Sequence, residues 1–286
     1  MLRLLERNIA AIEERLILLA PSAESVGEGF RNVTFDRNRH AERVREMQRL
    51  RGKVYLEDGA IERRHLSTDG LHRTPEDERS WHLLMLGRDA RISACAWYLE
   101  HENTTSIQSL RVRNCPLTAT ESSRETLHAA VESEIDRARQ DGLRYAEVGG
   151  WAVSKQCRCT SEGLLLALAA YSLGRRLGGC LGITTATVRH SSSTILRRLG
   201  GSHLEVHGTV VPSYFDPKYN CEMELLRFDS RRPNAKYAGL IELLRDRLTN
   251  VAVYASDALG LSAVPAPHFS LLSGFAHSTG QPVAAV

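Results

Sequence analysis

The order of apolar patterns along this chain predicts a mixed α/β fold, one central sheet flanked by helices. Two observations carry that class. Strand-like runs alternate with helix-like runs through the middle of the chain, in the order strands, helix, strand, helix, strand, helix, strands. The 286 residues also carry 42% hydrophobic and 25% charged side chains, ordinary values for a globular domain with a sizeable core.

The elements follow in order. In MLRLLERNIAAIEERLILLA, the residues Leu5, Ile9, Ile12, Leu16 and Leu19 recur at three and four, which predicts an amphipathic helix. Its charges exclude a signal peptide. Such a helix packs on its own domain or on a second subunit, and a homodimer through it is one expectation. A polar linker around Pro21 to Glu28 and a short strand near Val33 to Phe35 come next. A helix through HAERVREMQRLR follows, and then a loop rich in charge, Gly and Pro from Glu57 to Glu78. WHLLML and RISACAWYLE read as a hairpin around Gly-Arg-Asp-Ala, and IQSLRVR as a third strand. Leu127, Ala130, Val131, Ile135 and Ala138 place a helix at about 122 to 140, with Gly142 just beyond it. Strand LRYAEVGGWAV, helix SEGLLLALAAYSLGRRL, strand CLGITTAT and helix SSSTILRRLGG follow. Strands near HLEVHGTVV and CEMELLRF and a last helix from about Asn234 to Leu248 complete the series. The expected division is a helix and linker over 1–28, the main domain over 29–232, a helical extension over 233–255 and a weakly ordered tail over 256–286.

Several function classes are disfavoured. A net charge of +3 is too small to indicate nucleic acid. Arginines cluster at Arg43, Arg45, Arg49 and Arg51, at Arg175 and Arg176, and at Arg197 and Arg198, either as solvated helix faces or as a docking surface for an acidic partner. No stretch is apolar enough to span a membrane. The six cysteines (Cys95, Cys115, Cys157, Cys159, Cys180, Cys221) contain no C-x-x-C pair and have no histidine at zinc-finger spacing, so they read as reduced cytoplasmic thiols, with no metal expected.

The chemistry centres on one strand, loop and helix. YAEVGGWAV feeds QCRCTSEG, where unpaired backbone N–H groups meet the positive end of the helix dipole. That is an anion site, or simply a capped helix. Arg158 adds a fork of donors suited to phosphate. Thr160 and Ser161 offer hydroxyls or caps, and Gly163 allows close approach. Glu162 suits the dipole but repels a phosphate if it turns inward.

Counted from Arg158, Gly163 lies five residues on and Leu166 eight on. This spacing resembles the R-G-x-G-x-G-x-x-L loop of the GNAT acyltransferase superfamily, with Cys159 and Ser161 in place of the first two glycines. Glu147-Val148-Gly149-Gly150-Trp151-Ala152-Val153 resembles the E-x-S-R-F-x-V strand of acyl-homoserine-lactone synthases and long-chain N-acyl amino acid synthases, with Gly149-Gly150 for Ser-Arg. RLRGKVYLEDG, WHLLMLGRDARISACAWYL and PSYFDPKYNCEMELLRFD are similar to further segments of those enzymes, with Trp97 where they carry an arginine. SSSTILRRLGG resembles the superfamily's last motif, with Leu196 in the place of its tyrosine acid and Gly201 in that of its phenylalanine. Arg189 or His190 either polarises that side or caps the helix.

The resemblance implies a GNAT-type mixed, mostly antiparallel central sheet flanked by helices. It implies an N-acyltransferase that moves an acyl group, expected to be fatty, from acyl-CoA, or from the 4'-phosphopantetheine arm of an acyl carrier protein, to an amine, expected to be that of an amino acid. Glu147 would be the base and Trp151 its neighbour in catalysis, though a strand carboxylate paired with an arginine is the plain alternative. Ala152, Val153, Arg158, Cys159, Thr160, Ser161 and Gly163 would hold the donor. A bulge at Gly149-Gly150 would splay the strand and free N–H groups near Trp151 and Val153 for the thioester. Arg51, Tyr55, Asp77 and Trp97 would face the acceptor. An acetyl-CoA-dependent acetyltransferase and a non-catalytic module of the same fold are the alternatives.

Overall fold

The computed structural model describes residues 2–22, 25–189 and 192–256. Six described helices flank a mixed, mostly antiparallel sheet, as the sequence leads one to expect. The helices are α1 (Leu2–Ala10), α2 (Arg37–Glu57), α3 (Glu121–Gln140), α4 (Glu162–Arg176), α5 (Ser192–Leu199) and α6 (Ala235–Arg247). The strands of the central sheet are β1 (Leu16–Leu19), β2 (Val33–Phe35), β3 (Trp81–Leu86), β4 (Ile92–His101), β5 (Arg144–Val153), β6 (Cys180–Thr187), β7 (Ser202–His203), β10 (Tyr214–Asp216), β11 (Cys221–Asp229) and β12 (Ala252–Ala255). β8 (Glu205–Val206) and β9 (Thr209–Val210) form a separate ribbon. The strand order is β10-β11-β6-β5-β4-β3-β1-β12-β2, with β7 beside β11. β5 with β6, β1 with β12 and β12 with β2 are parallel, and the remaining pairs are antiparallel.

Each face of the sheet is closed by helices with an apolar stripe toward it. α1, α4 and α6 cover one face, where Leu5, Ile9, Leu165, Leu168, Ile241 and Leu244 meet Leu83, Ala94 and Ala146. On the other face α3 packs through Leu127, Val131 and Ile135, and α2 through Met47 and Val54. Each such side chain fully withdrawn from water contributes about 1.5–3 kcal/mol. α2 begins where the Asp36 carboxylate accepts the amide N–H of Arg39 at 2.9 Å, an N-cap bond. α1 packs on α4 and α6 of its own chain.

Three expectations about elements are corrected. Residues 16–19, read as the end of the first helix, form a strand buried at every position between β3 and β12. An all-apolar four-residue run fits either period, and the neighbouring strands decide it. The segment over 233–255 contains α6 but closes with β12, inside the same sheet as the main domain. IQSLRVR is not a strand: it folds as two short 3-10 turns, Ile107–Ser109 and Arg111–Asn114. The reason lies in the site. The expected tail over 256–286 lies outside the described residues except for Ser256.

Candidate functional site

β5 carries the residues on which the sequence analysis converged. Its partner register with β4 runs Leu99–Glu147, Tyr98–Val148 and Trp97–Gly149, then jumps to Cys95–Ala152. Ala96 therefore faces two residues, Gly150 and Trp151, and the predicted bulge is present. The two glycines have a steric reason. A Cβ at Gly149 would stand 2.5 Å from Cζ2 of Trp97, and one at Gly150 would stand 2.1 Å from its Cδ1. Gly150 also has φ +64, which favours glycine. The Trp97 ring thus lies against the bulge. It is buried, and its Nε1 meets no hydrogen-bond partner among the described residues.

The predicted splay opens on the β6 side, where pairing with β5 ends at Val148–Thr184 although β5 runs on to Val153 and β6 to Thr187, and not on the β4 side. Pairing resumes beyond the bulge at Ala94–Val153, and the Ser154 amide donates to the Ser93 carbonyl at 2.8 Å. A one-residue bulge changes the twist without opening the ladder, because the strands regain register after it.

Glu147 is buried on the α2/α3 face of β5. Its carboxylate accepts the backbone amide of Arg111 at 3.0 Å on each oxygen and that of Val112 at 3.3 Å. His101 Nε2 lies 3.1 Å from the second oxygen. This explains the 3-10 turn at 111–114: its leading N–H groups serve a carboxylate, so they do not serve a neighbouring strand. Trp151, expected beside Glu147, is instead half-buried against the α1/α4/α6 core on the opposite face. Within the strand, the extra residue of the bulge separates their directions.

The acceptor-side expectations divide in the same way. Arg51 and Asp77 bind each other, with Nη1 to Oδ1 at 2.8 Å and Nη2 to Oδ2 at 2.7 Å, both residues buried. Gln48 also donates to Asp77 at 2.8 Å, and the Arg51 Nε donates to His72 Nδ1 at 3.2 Å. Burial opposes the charge on Asp77, yet the hydrogen bonds and charge of Arg51 outweigh it and hold the carboxyl at about 2. The pair is spent on pinning the 74–78 turn to α2, and it is not two free groups for an amine and a carboxylate. Arg51 accordingly leaves the surface arginine cluster. His82 donates from Nε2 to the Asp77 carbonyl at 2.7 Å, and burial pushes it down to about 4.

Tyr55 and Trp97 do come together, around residues that sequence reasoning missed. The Arg111 guanidinium lies 5.9 Å from the Trp97 ring centroid and donates to the Tyr219 hydroxyl at 2.6 Å and to Glu76 at 3.3 Å. Tyr55 stands edge-on to Tyr219 at 6.2 Å and to His72 at 5.4 Å. Burial raises the Tyr55 phenol above its ordinary range. Arg189 Nη2 donates to the Tyr219 carbonyl at 3.3 Å, which brings that residue to the edge of the cluster, while His190 lies outside the described residues. The two hydrogen-bond partners of the Arg111 guanidinium, Glu76 and Tyr219, lie 35 and 108 residues from it in sequence, so no local pattern announces them.

At the mouth of α4, Arg158, Thr160 and Ser161, expected to hold the donor, bind other residues of the chain. Arg158 forms a fork on Asp58, 2.7 Å from Oδ1 and 3.0 Å to Oδ2. Thr160 donates to the Cys157 carbonyl at 2.7 Å and accepts the Glu162 amide at 3.2 Å, and Ser161 accepts from Asn8 at 2.9 Å. Glu162 is buried and ion-paired with Arg15. Cys159 is exposed and has φ +60, a backbone conformation suited to the glycine whose place it takes. Gly163 is roomy, since a Cβ there would meet only Val153 Cγ2 at 3.8 Å. Ala152 is buried on the α2 side, and Val153 packs against the opposite core. Leu196 also packs into that core, and no tyrosine stands in its place.

A separate cleft of about 330 Å³ lies on the outer side of α2, walled by Arg49, Lys53, Arg63, Ser67 and Thr68 among others. Among the described residues no group of three or more His, Cys, Asp or Glu is placed to hold a metal ion, and no helix is long and apolar enough to cross a membrane.

No family model matches the chain, and no curated protein matches it. Among solved structures it is similar to the CoA-dependent acyl-homoserine lactone synthase BjaI with SAM and isopentyl-CoA, at 15% identity over 85% of this chain and 93% of that one, with a TM-score of 0.47. It is similar to FeeM, an N-acyl amino acid synthase from uncultured soil microbes, at 13% identity over 71% and 90%, with a TM-score of 0.43. The acyl-homoserine lactone synthase LasI aligns at 16% identity over 66% and 84%, with a TM-score of 0.42. At these scores nothing of their chemistry carries over to this chain.

Proposed function

We propose that this chain is an N-acyltransferase that moves an acyl group from a thioester, acyl-CoA or an acyl carrier protein, to the amine of an amino acid. The observation that supports it most is the Glu147 carboxylate, buried beside the bulge on the strand that leads into the Arg158 loop. Its two oxygens offer about four acceptor positions, and the Arg111 amide, which lies on both oxygens, the Val112 amide and the His101 ring meet them. In the reaction the Arg111 amide, shared between the two oxygens, would settle on one of them and leave the other to take the proton of an attacking amine, directly or through a water. In that step the neutral amine attacks the thioester carbon, the C–N bond forms and the C–S bond breaks. One proton passes to Glu147 and then to the departing thiolate. A thiolate leaves readily, so a leucine at position 196 is tolerable. The donor's phosphate would displace Asp58 from Arg158, a pair whose side chains keep 32% and 18% of their surface, so water and ions reach it as they do not reach Arg51–Asp77.

The experiment is mass spectrometry of the purified protein incubated with long-chain and acetyl thioesters, on CoA and on a carrier protein, with pooled amino acids. An N-acyl amino acid is expected, with long chains favoured over acetyl. Glu147→Gln should lower its formation on the order of 100-fold or more. Neither product nor thiol release with any donor would sink the reading.

A second reading, a non-catalytic module of the same fold, is favoured by the closed β4–β5 ladder with Trp97 against the bulge and by Glu162 at the mouth of α4. It is preferred if a partner protein binds while Arg158→Ala leaves thioester binding unchanged.

A further inference from the structure

Arg111 does two things at once. Its backbone N–H bridges both oxygens of Glu147, and its side chain ends among Trp97, Tyr219 and Glu76. Among the described residues the guanidinium gives one N–H to Glu76 and one to Tyr219, out of five donors. The contact to Glu76 is a single bond of 3.3 Å, whereas the Arg51–Asp77 pair is a full fork. The side chain keeps 31% of its surface, so solvent and small solutes reach it, whereas Arg51 keeps 1%. β4 and β5 themselves offer no arginine at the bulge, where the Trp97 ring lies over Gly149 and Gly150.

We propose that the Arg111 guanidinium is the seat for the carboxylate of the acceptor, and that Glu76 occupies this seat while the acceptor is absent. This rests on the acyl-transfer reading above and names the part of that site that selects the acceptor. A planar guanidinium takes a carboxylate through two parallel N–H bonds, a stronger arrangement than the single bond to Glu76. The Tyr219 hydroxyl and the Trp97 face fix the guanidinium plane. An α-amino acid bound this way carries its amine next to its carboxylate, on the residue whose own amide holds the base. An amine without a carboxylate gains none of this and leaves Glu76 in place.

Calorimetry on the full chain, without donor, tests the seat with two matched pairs: leucine against isoamylamine and phenylalanine against phenethylamine. The wild-type protein should bind at least one amino acid on the order of tenfold more tightly than its amine. Arg111→Gln should erase that difference. Glu76→Gln, which keeps the arginine and removes its competitor, should tighten amino-acid binding severalfold. The proposal is overturned if the wild type binds neither amino acid or does not prefer it to its amine, or if Glu76→Gln has no effect on binding. The two readings fail separately. Carboxylate preference without thioester consumption removes acyl transfer and keeps the seat. N-acyl amino acid formation in which Arg111→Gln retains the wild-type preference removes the seat and keeps acyl transfer.

Discussion

Two arginine–aspartate forks serve the site, alike in their paired bonds but different in burial and in the further partners that Gln48, Thr74 and His72 give the first. Arg51–Asp77 has side chains 1% and 3% exposed, while Arg158–Asp58 has 32% and 18%. The same bonding geometry therefore does different work. The first pair has no water to fall back on, and breaking it strands a charge. It is a rivet between α2 and the turn that leads into β3. The second sits where water and counterions compete, so a phosphate can exchange for Asp58 at little cost. Residues that look alike in sequence as acceptor ligands and donor ligands separate into a structural set and an exchangeable set.

The largest expected effect would come from breaking the rivet. Asp77→Ala should destabilise the protein by about 3–5 kcal/mol in urea unfolding, because Arg51 is left buried and unpaired. A loss under 1 kcal/mol would mean that water reaches Arg51 and that the contrast with Arg158 is false.

Acid sharpens the same contrast at intermediate size. His82 has its folded value lowered by burial from 6.5 to about 4. Below pH 6.5 the unfolded chain takes up a proton that folded His82 refuses. Stability from this group is thus complete above 6.5 and lost as pH falls toward about 4, a loss of about 3 kcal/mol. His72, lowered by burial and by Arg51 to about 4, acts in the same direction. Asp77, held at about 2, keeps its contribution above about pH 4 and loses it only as pH falls from there through about 2. Urea unfolding between pH 7 and 4 should therefore show a decline that is reduced in His82→Gln, with the rivet intact throughout.

The smallest effect belongs to the exchangeable pair. Asp58→Asn should change unfolding stability by less than about 1 kcal/mol and should raise thioester affinity by up to about fivefold, measured by fluorescence titration. A larger stability loss with no gain in affinity would make this pair a second rivet.

What could be read from the sequence follows the range of the interactions. Elements with a sustained period, such as α3 and β3–β4, were legible because each residue's neighbours lie within a turn or a hairpin. β1 and β12 were not, since four apolar residues have no period of their own and acquire a strand identity only by lying beside each other. The 107–114 segment alternates like a strand, but Glu147, 35 and 36 residues downstream of Val112 and Arg111, claims its amides. At the site, Glu147 and the glycine pair were visible as a motif. That the glycines make room for Trp97 was not, because the ring arrives from another strand. Arg111, Tyr219, His101 and Glu76 are gathered only by the tertiary fold.

The seating of β12 between β1 and β2 has a consequence for biosynthesis. β1 is made early but, among the described residues, has only β3 to pair with until residues 252–255 emerge, and β2 there pairs with β12 alone. During translation the Leu-Ile-Leu-Leu strand therefore presents an open, wholly apolar edge, the kind that recruits other chains. β12 acts as a keystone, and a ribosome that stalls before it would leave a chain with an adhesive flank.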